Sequence, residues 1–331
     1  MLRAPGPTFV VSPGPRPAAS QPALVPALLL GALLFSACGG ADATRADGVP
    51  SLEAVLSIER LEDAGHADAP SASAMAQFVI LPADADVHDT LGAAGLRSQL
   101  PERLGCVDLA AAEASSKEAA SNARRSSTPL RYSLREPLEL LEAGEVSIRA
   151  GDMLTRLALN AFPPSGSASG VIYTTPDQSA EPLPADENYA IRATGSRTIP
   201  PLNIAGRAPV SLGDITLGGM PLEHAQQMTA GQPLDITWAE GAAGDRVYVE
   251  LADAEHSLAC AFPDEDGSGS VPGTLTAQLR SSTRLSLHRV REAVQSEAAP
   301  EEGRAENLTD VSSLETTVRF DFETTAVLRV Q

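Results

Sequence analysis

The side chains able to do chemistry in this chain of 331 residues are five histidines, three cysteines and several acidic runs. His66, His88, His224, His256 and His288 are scattered. No two stand four apart, the spacing that sets two imidazoles on one helical face, and no cysteine is placed to complete a zinc site. Asp84, Asp86, His88 and Asp89 form the densest set of ligand-type residues, and the set reads as a solvated loop before it reads as a metal site. Asp264-Glu265-Asp266-Gly267-Ser268-Gly269-Ser270 has the composition of a calcium loop. A loop begun at Asp264, however, puts Leu275 where the bidentate twelfth glutamate belongs. The stretch is therefore expected to be a hairpin turn leading into Ser270–Leu275. Gly166–Gly170 reads Gly-Ser-Ala-Ser-Gly, with Ala168 at the nucleophile position of a hydrolase elbow, and it lies between strands. Phosphate-binding and dinucleotide-binding glycine patterns are absent, and scattered acid pairs discriminate nothing in so acidic a chain. These residues imply no catalytic site, no cofactor and no metal. The alternatives are an exported hydrolase with a site assembled from distant residues (His88, His224 or His256 beside a carboxylate and a Ser or Cys) and a weak Ca²⁺-dependent adhesin.

The elements that must position these residues are β-strands. Hydrophobic residues make up 43% but aromatics only 4%, so a core must be built from Val, Leu, Ile and Ala. Gly and Pro, 26 each, favour turns and short strands over long helices. Lys117 is the only lysine, which reads as codon bias. A formal charge of −19 leaves no basic track for nucleic acid and repels anionic headgroups. Membrane attachment would need a covalent or apolar anchor.

The N-terminus supplies a candidate. Arg3 and Arg16 precede an apolar run from Ala23 to Phe35, and no acid occurs before Asp42. A run of this length spans roughly 20 Å as helix against a bilayer core of roughly 30 Å, which suits a secretory signal and not a stable span. The run ends Phe35-Ser36-Ala37-Cys38-Gly39-Gly40. This resembles the lipobox of bacterial lipoproteins, with Phe35 where that family usually has Leu. The resemblance implies acylation of Cys38 and cleavage before it, with residues 1–37 as signal peptide and the outer membrane as the destination in preference to the inner. Two or three acyl chains would hold firmly. A cut at Ala41-Asp42-Ala43, discarding Cys38, is the competing reading.

Residues 38–50 are small and polar and suit a flexible tether. From Leu52 the pattern alternates with period two (Leu52, Ala54, Leu56, Ile58), and Ala76/Phe78/Ile80, Val146/Ile148, Leu157/Leu159, Val171–Tyr173 and Tyr189/Ile191/Ala193 repeat the device. Asp108–Arg125 is Ala-rich and is either an exposed helix or a loop. A boundary is expected near Gly206–Gly219. Beyond it, Leu234/Ile236/Trp238, Val247/Val249/Leu251, Leu258/Cys260/Phe262, Leu285/Leu287 and Val318/Phe320/Phe322 each read as one inward strand face, with Glu292–Asp310 as a disordered acidic loop. The expected fold is all-β, two tandem antiparallel immunoglobulin- or fibronectin-like sandwiches over residues 51–206 and 207–331. Two cysteines besides Cys38 allow one pairing. Cys260 on an inward face behaves as a small hydrophobe, so buried thiols at Cys106 and Cys260 are favoured over a disulfide that would staple the halves.

The pieces LDITW, RVYVELADAEHSLACAFPDEDGSGSVPGTL, TRLSLHRVRE and the closing V-x-F-x-F strand resemble the C-terminal domain of uncharacterised exported lipoproteins of GC-rich Gram-negative bacteria. LEAGEVSIRAG and NYAIRATGSRTIPP match the preceding half more loosely. The resemblance implies export and tandem sandwiches but no activity. Together these readings expect a non-catalytic envelope lipoprotein. Its partners would be the membrane, through acyl chains, and a protein or carbohydrate met by loops or strand edges.

Overall fold

Alternating apolar residues become strands throughout the chain. The computed structural model describes residues 50–64, 70–81, 100–101, 104–109, 138–162, 168–175, 178–225, 227–280, 282–298 and 313–331. Cys38, His66, the Asp84–Asp89 cluster, most of Asp108–Arg125 and the first residues of Gly166–Gly170 lie outside them. The strands of the first half are β1 (Ser51–Asp63), β2 (Ser71–Leu81), β3 (Gly105–Asp108), β4 (Leu138–Leu140), β5 (Val146–Ala150), β6 (Met153–Arg156), β7 (Ala158–Phe162), β8 (Ala168–Thr174), β9 (Gln178–Ser179), β10 (Asn188–Ala193) and β11 (Leu202–Arg207). Then come β12 (Thr216–Leu217), β13 (Met220–Pro221), β14 (Gln227–Met228), β15 (Leu234–Thr237), β16 (Arg246–Ala252), β17 (Ser257–Pro263), β18 (Ser268–Val271), β19 (Ser282–Ala298) and β20 (Ser313–Val330).

The protein is all-β. A 12-stranded sheet runs β3-β17-β16-β19-β20-β1-β2-β4-β8-β7, with β14 and β9 alongside. Two four-stranded sheets, β11-β10-β5-β6 and β13-β12-β15-β18, supply the inward faces opposite it. Pairing is mostly antiparallel, but β1–β20, β4–β8 and β14–β20 are parallel.

Two buried clusters fill the layers. The first joins β1, β2, β5, β10 and β11, with Tyr173, Tyr189 and Phe78 among its large members. The second joins β15, β16, β17 and β19 around Trp238, Val249 and Leu287. Val318, Phe320 and Phe322 belong to the first cluster, although the sequence pattern attached them to the strands of the second half. The reason is length. At 18 residues β20 covers roughly 60 Å, so its early residues lie over one core and Leu328 over the other. The expected boundary at 206/207 falls inside β11.

Three further expectations change. Glu292–Ala298 continues β19, paired in register with β20 as far as Ala298–Ser313, so this part of the acidic stretch is strand; only residues 299–312 lie outside description. The turn after β17 is no hairpin, because β18 pairs β15 in the opposite sheet and the chain arches across the core. Leu157 is buried while Leu159 is exposed, because the chain passes there from β6 in one sheet to β7 in the other. Gly170 marks the tightest approach: at φ +122° any Cβ would sit 2.1 Å from the Leu140 carbonyl oxygen of parallel β4.

Candidate functional site

Strand β19 sorts the polar chemistry of the described chain onto two faces. Its inward positions include Arg289 and Arg291, and its outward positions include Arg284, Ser286, His288 and Glu292. Alternation places i and i+2 on one side.

On the inward side the Arg289 guanidinium is wholly buried, as is Asp264. Arg289 Nε lies 2.7 Å from Asp264 Oδ2, and Nη2 donates to Oδ1 at 2.7 Å. Its remaining donors reach the carbonyls of Val210, Ser211 and Ala239. Arg291 repeats the arrangement two residues on, bidentate to Asp245 at 2.8 and 2.6 Å and donating to the carbonyls of Arg207 and Ala208. The Asp245 carboxylate raises the Arg291 pKa further above its ordinary value. Gln295 Nε2 donates to the Ala205 carbonyl at 2.5 Å. Side chains of one strand thus hold the chain from 205 to 211, where the expected boundary between the halves begins. The first acid of the supposed calcium loop is consumed in this clamp. Asp264–Asp266 is a 3₁₀ turn, and the Asp264 carboxylate is paired with Arg289.

On the outward side His288 Nδ1 donates to Asp321 Oδ1 at 2.9 Å. Its Nε2 is buried without a hydrogen-bond partner, 3.9 Å from Glu323 Oε1. Arg319 pairs with Asp321 at 3.0 Å and approaches Glu292 at 3.5 Å, while Arg284 pairs with Glu323 at 3.1 Å. Burial works against charge on His288. The hydrogen bond and charge of Asp321, then Glu323 and Glu250, outweigh it and raise its pKa. Burial likewise opposes charge on Asp321, but His288 and Arg319 hold its pKa down. The cluster favours a charged imidazolium bound to a carboxylate. On the same face Ser286 Oγ accepts from Arg284 Nε at 3.2 Å.

The other histidines are placed as follows. His224 is exposed, 3.8 Å from Glu223. His256 Nδ1 lies 3.4 Å from Asp253, whose carboxylate accepts from the backbone N–H groups of Glu255, His256 and Arg280. Burial pushes Asp253 up, but those three donors win and hold it at about 2. Among the described residues no group of three or more His, Cys, Asp or Glu is arranged to hold a metal, and no helix is long and apolar enough to cross a membrane. An open cavity of about 480 Å³ lined by Glu62, Asp63, Asp214, Glu223, Leu222 and Thr324 is acidic, with Glu62 already paired to Arg60 at 3.0 Å.

Cys106 and Cys260 are joined in a disulfide, where buried thiols were favoured. Pairing of β3 with β17 sets them directly opposite, at a Cα separation of 3.9 Å. The sequence reading held this pairing as the less favoured alternative, because β3 is four residues long and sits far from its partner in the chain.

No family model matches the chain, and no curated protein matches it. Solved structures give distant likenesses. The zebrafish (Danio rerio) Fcho1 Mu homology domain with bound Eps15 peptide is 12% identical over 87% of this chain and 99% of that one, with a TM-score of 0.24. The yeast delta-COP-I mu-homology domain complexed with a Dsl1 peptide is 7% identical over 83% and 96%, with a TM-score of 0.25. A bacterial ice-binding adhesin is 10% identical over 85% and 66%, with a TM-score of 0.17. None is similar enough to assign a family.

Proposed function

We propose that this chain is a non-catalytic bacterial envelope lipoprotein, held to the outer membrane by acyl chains on Cys38 and serving a structural or partner-binding role. The observation that carries the reading is the Cys106–Cys260 disulfide. Such bonds persist in oxidising compartments outside the cytoplasm, which is where the stretch Leu28–Gly40 would send the chain. A second support is the fate of the polar residues. The buried Arg289 and the half-buried Arg291 are spent on carbonyls and carboxylates of the fold itself. What remains for contact is the loops and strand edges of a rigid β framework.

The test is metabolic labelling with palmitate together with fractionation of the native host. The expected result is label in the wild-type chain, loss of label in Cys38→Ser, and release of that variant from the membrane pellet. An unlabelled wild-type chain, or a Cys38→Ser variant that still sediments with membranes, overturns the proposal.

A further inference from the structure

The Cys106–Cys260 bond closes 154 residues of chain, yet the strands it joins are already neighbours in one sheet. The strands behind it hold themselves. β16 is paired along its whole length with β17 on one side and with β19 on the other. From β17, Leu258 and Cys260 are buried in the second core and Phe262 packs against it.

Strand β3 is attached differently. It ends the large sheet, is four residues long and, among the described residues, pairs only with β17. The register sets Cys106 and Asp108 opposite Cys260 and Leu258, on the inward side, and turns Gly105 and Val107 outward. Gly105 has no side chain to pack, Val107 is 36% exposed, and Leu104 just before the strand is 59% exposed. Cys106 is the one apolar side chain of β3 that packs against the second core. A ladder this short with so little buried side chain belongs to the low end of local stability, and the sulfur bridge is what ties it down. The bridge is also open to attack. Cys260 is wholly buried, but Cys106 is only half-buried at the sheet edge, so its sulfur is the one a thiol can reach.

We propose that Cys106–Cys260 is a redox latch. A dithiol reductant opens it in the folded chain, β3 leaves the sheet, and the edge of β17 from Leu258 to Ala261 is uncovered while the cores stay packed. One thiolate of the dithiol attacks Cys106 Sγ. The Sγ–Sγ bond breaks, and its electron pair leaves on Cys260, which takes up a proton and stays behind as a buried thiol. The mixed disulfide puts a bulky group on the inward side of β3, which expels the strand. The second thiolate then attacks the reductant's own sulfur, Cys106 leaves and is protonated, and the reductant departs as a disulfide. Two electrons pass to the bridge, and an oxidant of the disulfide class returns them. In an oxidising compartment the latch stays shut until a dithiol is supplied. None of this rests on the acyl anchor.

The test uses the purified full chain carrying Cys38→Ser, in which Cys106 and Cys260 are the only cysteines left. It is titrated with dithiothreitol without denaturant, alkylated and weighed to count thiols, and followed by hydrogen exchange and Trp238 fluorescence. Trp238 is buried and lies 6.2 Å from the Phe262 ring of β17, so it reports whether β17 itself stays in place. The expected result is two alkylated thiols in a chain with unchanged Trp238 emission. The amides of 105–108, and those of 258–261 that face them, should exchange at least about tenfold faster, while 247–251 and 285–290 keep their protection. Reoxidation should restore the original pattern. A bridge that resists dithiothreitol until the chain unfolds overturns the proposal. So does a reduced chain in which β3 keeps its protection. So does a loss of protection that spreads through β16 and β19, which would make the bond a staple of the whole fold.

Discussion

Replacing Arg289 by methionine tests the clamp that joins the strands to the 205–211 segment. The substitution keeps the apolar stem and removes the charge. It leaves the Asp264 carboxylate wholly buried without its paired guanidinium, and removal of one partner from a buried pair costs about 3–5 kcal/mol. The carbonyls of Val210, Ser211 and Ala239 lose a donor as well, at about 1 kcal/mol apiece. The expected cost is therefore at least about 5 kcal/mol, a large fraction of the stability of an ordinary domain and worth roughly 10–20 °C in Tm. Removing both charges, with Arg289→Met and Asp264→Leu together, should cost only about 3 kcal/mol, because the carbonyls alone go unsatisfied. Trp238 is the chain's single tryptophan, and its Nε1 donates to the Asp264 carbonyl at 3.2 Å, so its fluorescence reports on this joint during urea unfolding. A single variant within about 1 kcal/mol of wild type, or a double variant no more stable than the single one, refutes the argument.

Three other outcomes follow from the same contacts. Asp253→Asn gives up charge-assisted bonds to three backbone N–H groups and should cost roughly 1 kcal/mol near neutral pH. Because the folded pKa is depressed from 3.8 to about 2, that stabilisation is present above 3.8 and lost as pH falls towards 2, so melting curves of variant and wild type should converge in acid. His288 has the opposite sign. Its folded pKa is raised above 6.5, so its contribution is complete below 6.5 and lost as pH rises through the folded value; Asp321→Asn should lower the midpoint of its imidazole NMR titration, and an unmoved midpoint would deny the pairing. Reduction of Cys106–Cys260, which closes a separation of 154 residues, should cost about 5 kcal/mol in the chain-entropy model, read as a drop in the urea midpoint after dithiol treatment.

Much of the strand inventory was legible because the period is two and the apolar residues are aliphatic. Leu52, Leu56, Val146, Ile148, Ile191, Ile236 and Val249 are all buried where alternation put them. What alternation cannot carry is the identity of the partner strand. Nothing local marks β1 as the parallel neighbour of a strand some 260 residues later, or β3 as the partner of β17. For the same reason Val318, Phe320 and Phe322 looked like members of the nearer core. Arg289 was equally illegible. Alternation with Leu285 and Leu287 puts it on the inward face, but nothing local names the carboxylate and three carbonyls that let a charge be buried there. Asp264 was singled out for its chemistry, but its partner lies 25 residues away in an acidic chain with many other candidates.

The position of β1 has a mechanical consequence under the proposed anchoring at Cys38. A tether leaving Ser51 loads β1 along its axis. β1 is not an edge strand: it lies between β2 and β20 and is paired with β20 over all 13 of its residues. The β1–β20 pairing is parallel, so force applied at the start of β1 and at the end of β20 pulls the two strands past one another. In that geometry the ladder bonds share the load and must fail together, whereas pulling two paired residues apart at one end breaks them in turn. Ser51 and Ser313 are such a pair. Single-molecule pulling on handles at residues 51 and 331 should therefore require a markedly higher force than pulling on handles at 51 and 313. Equal forces in the two directions would mean that the β1–β20 ladder does not bear the load, and that the resistance lies instead in the side-chain clamp of β19.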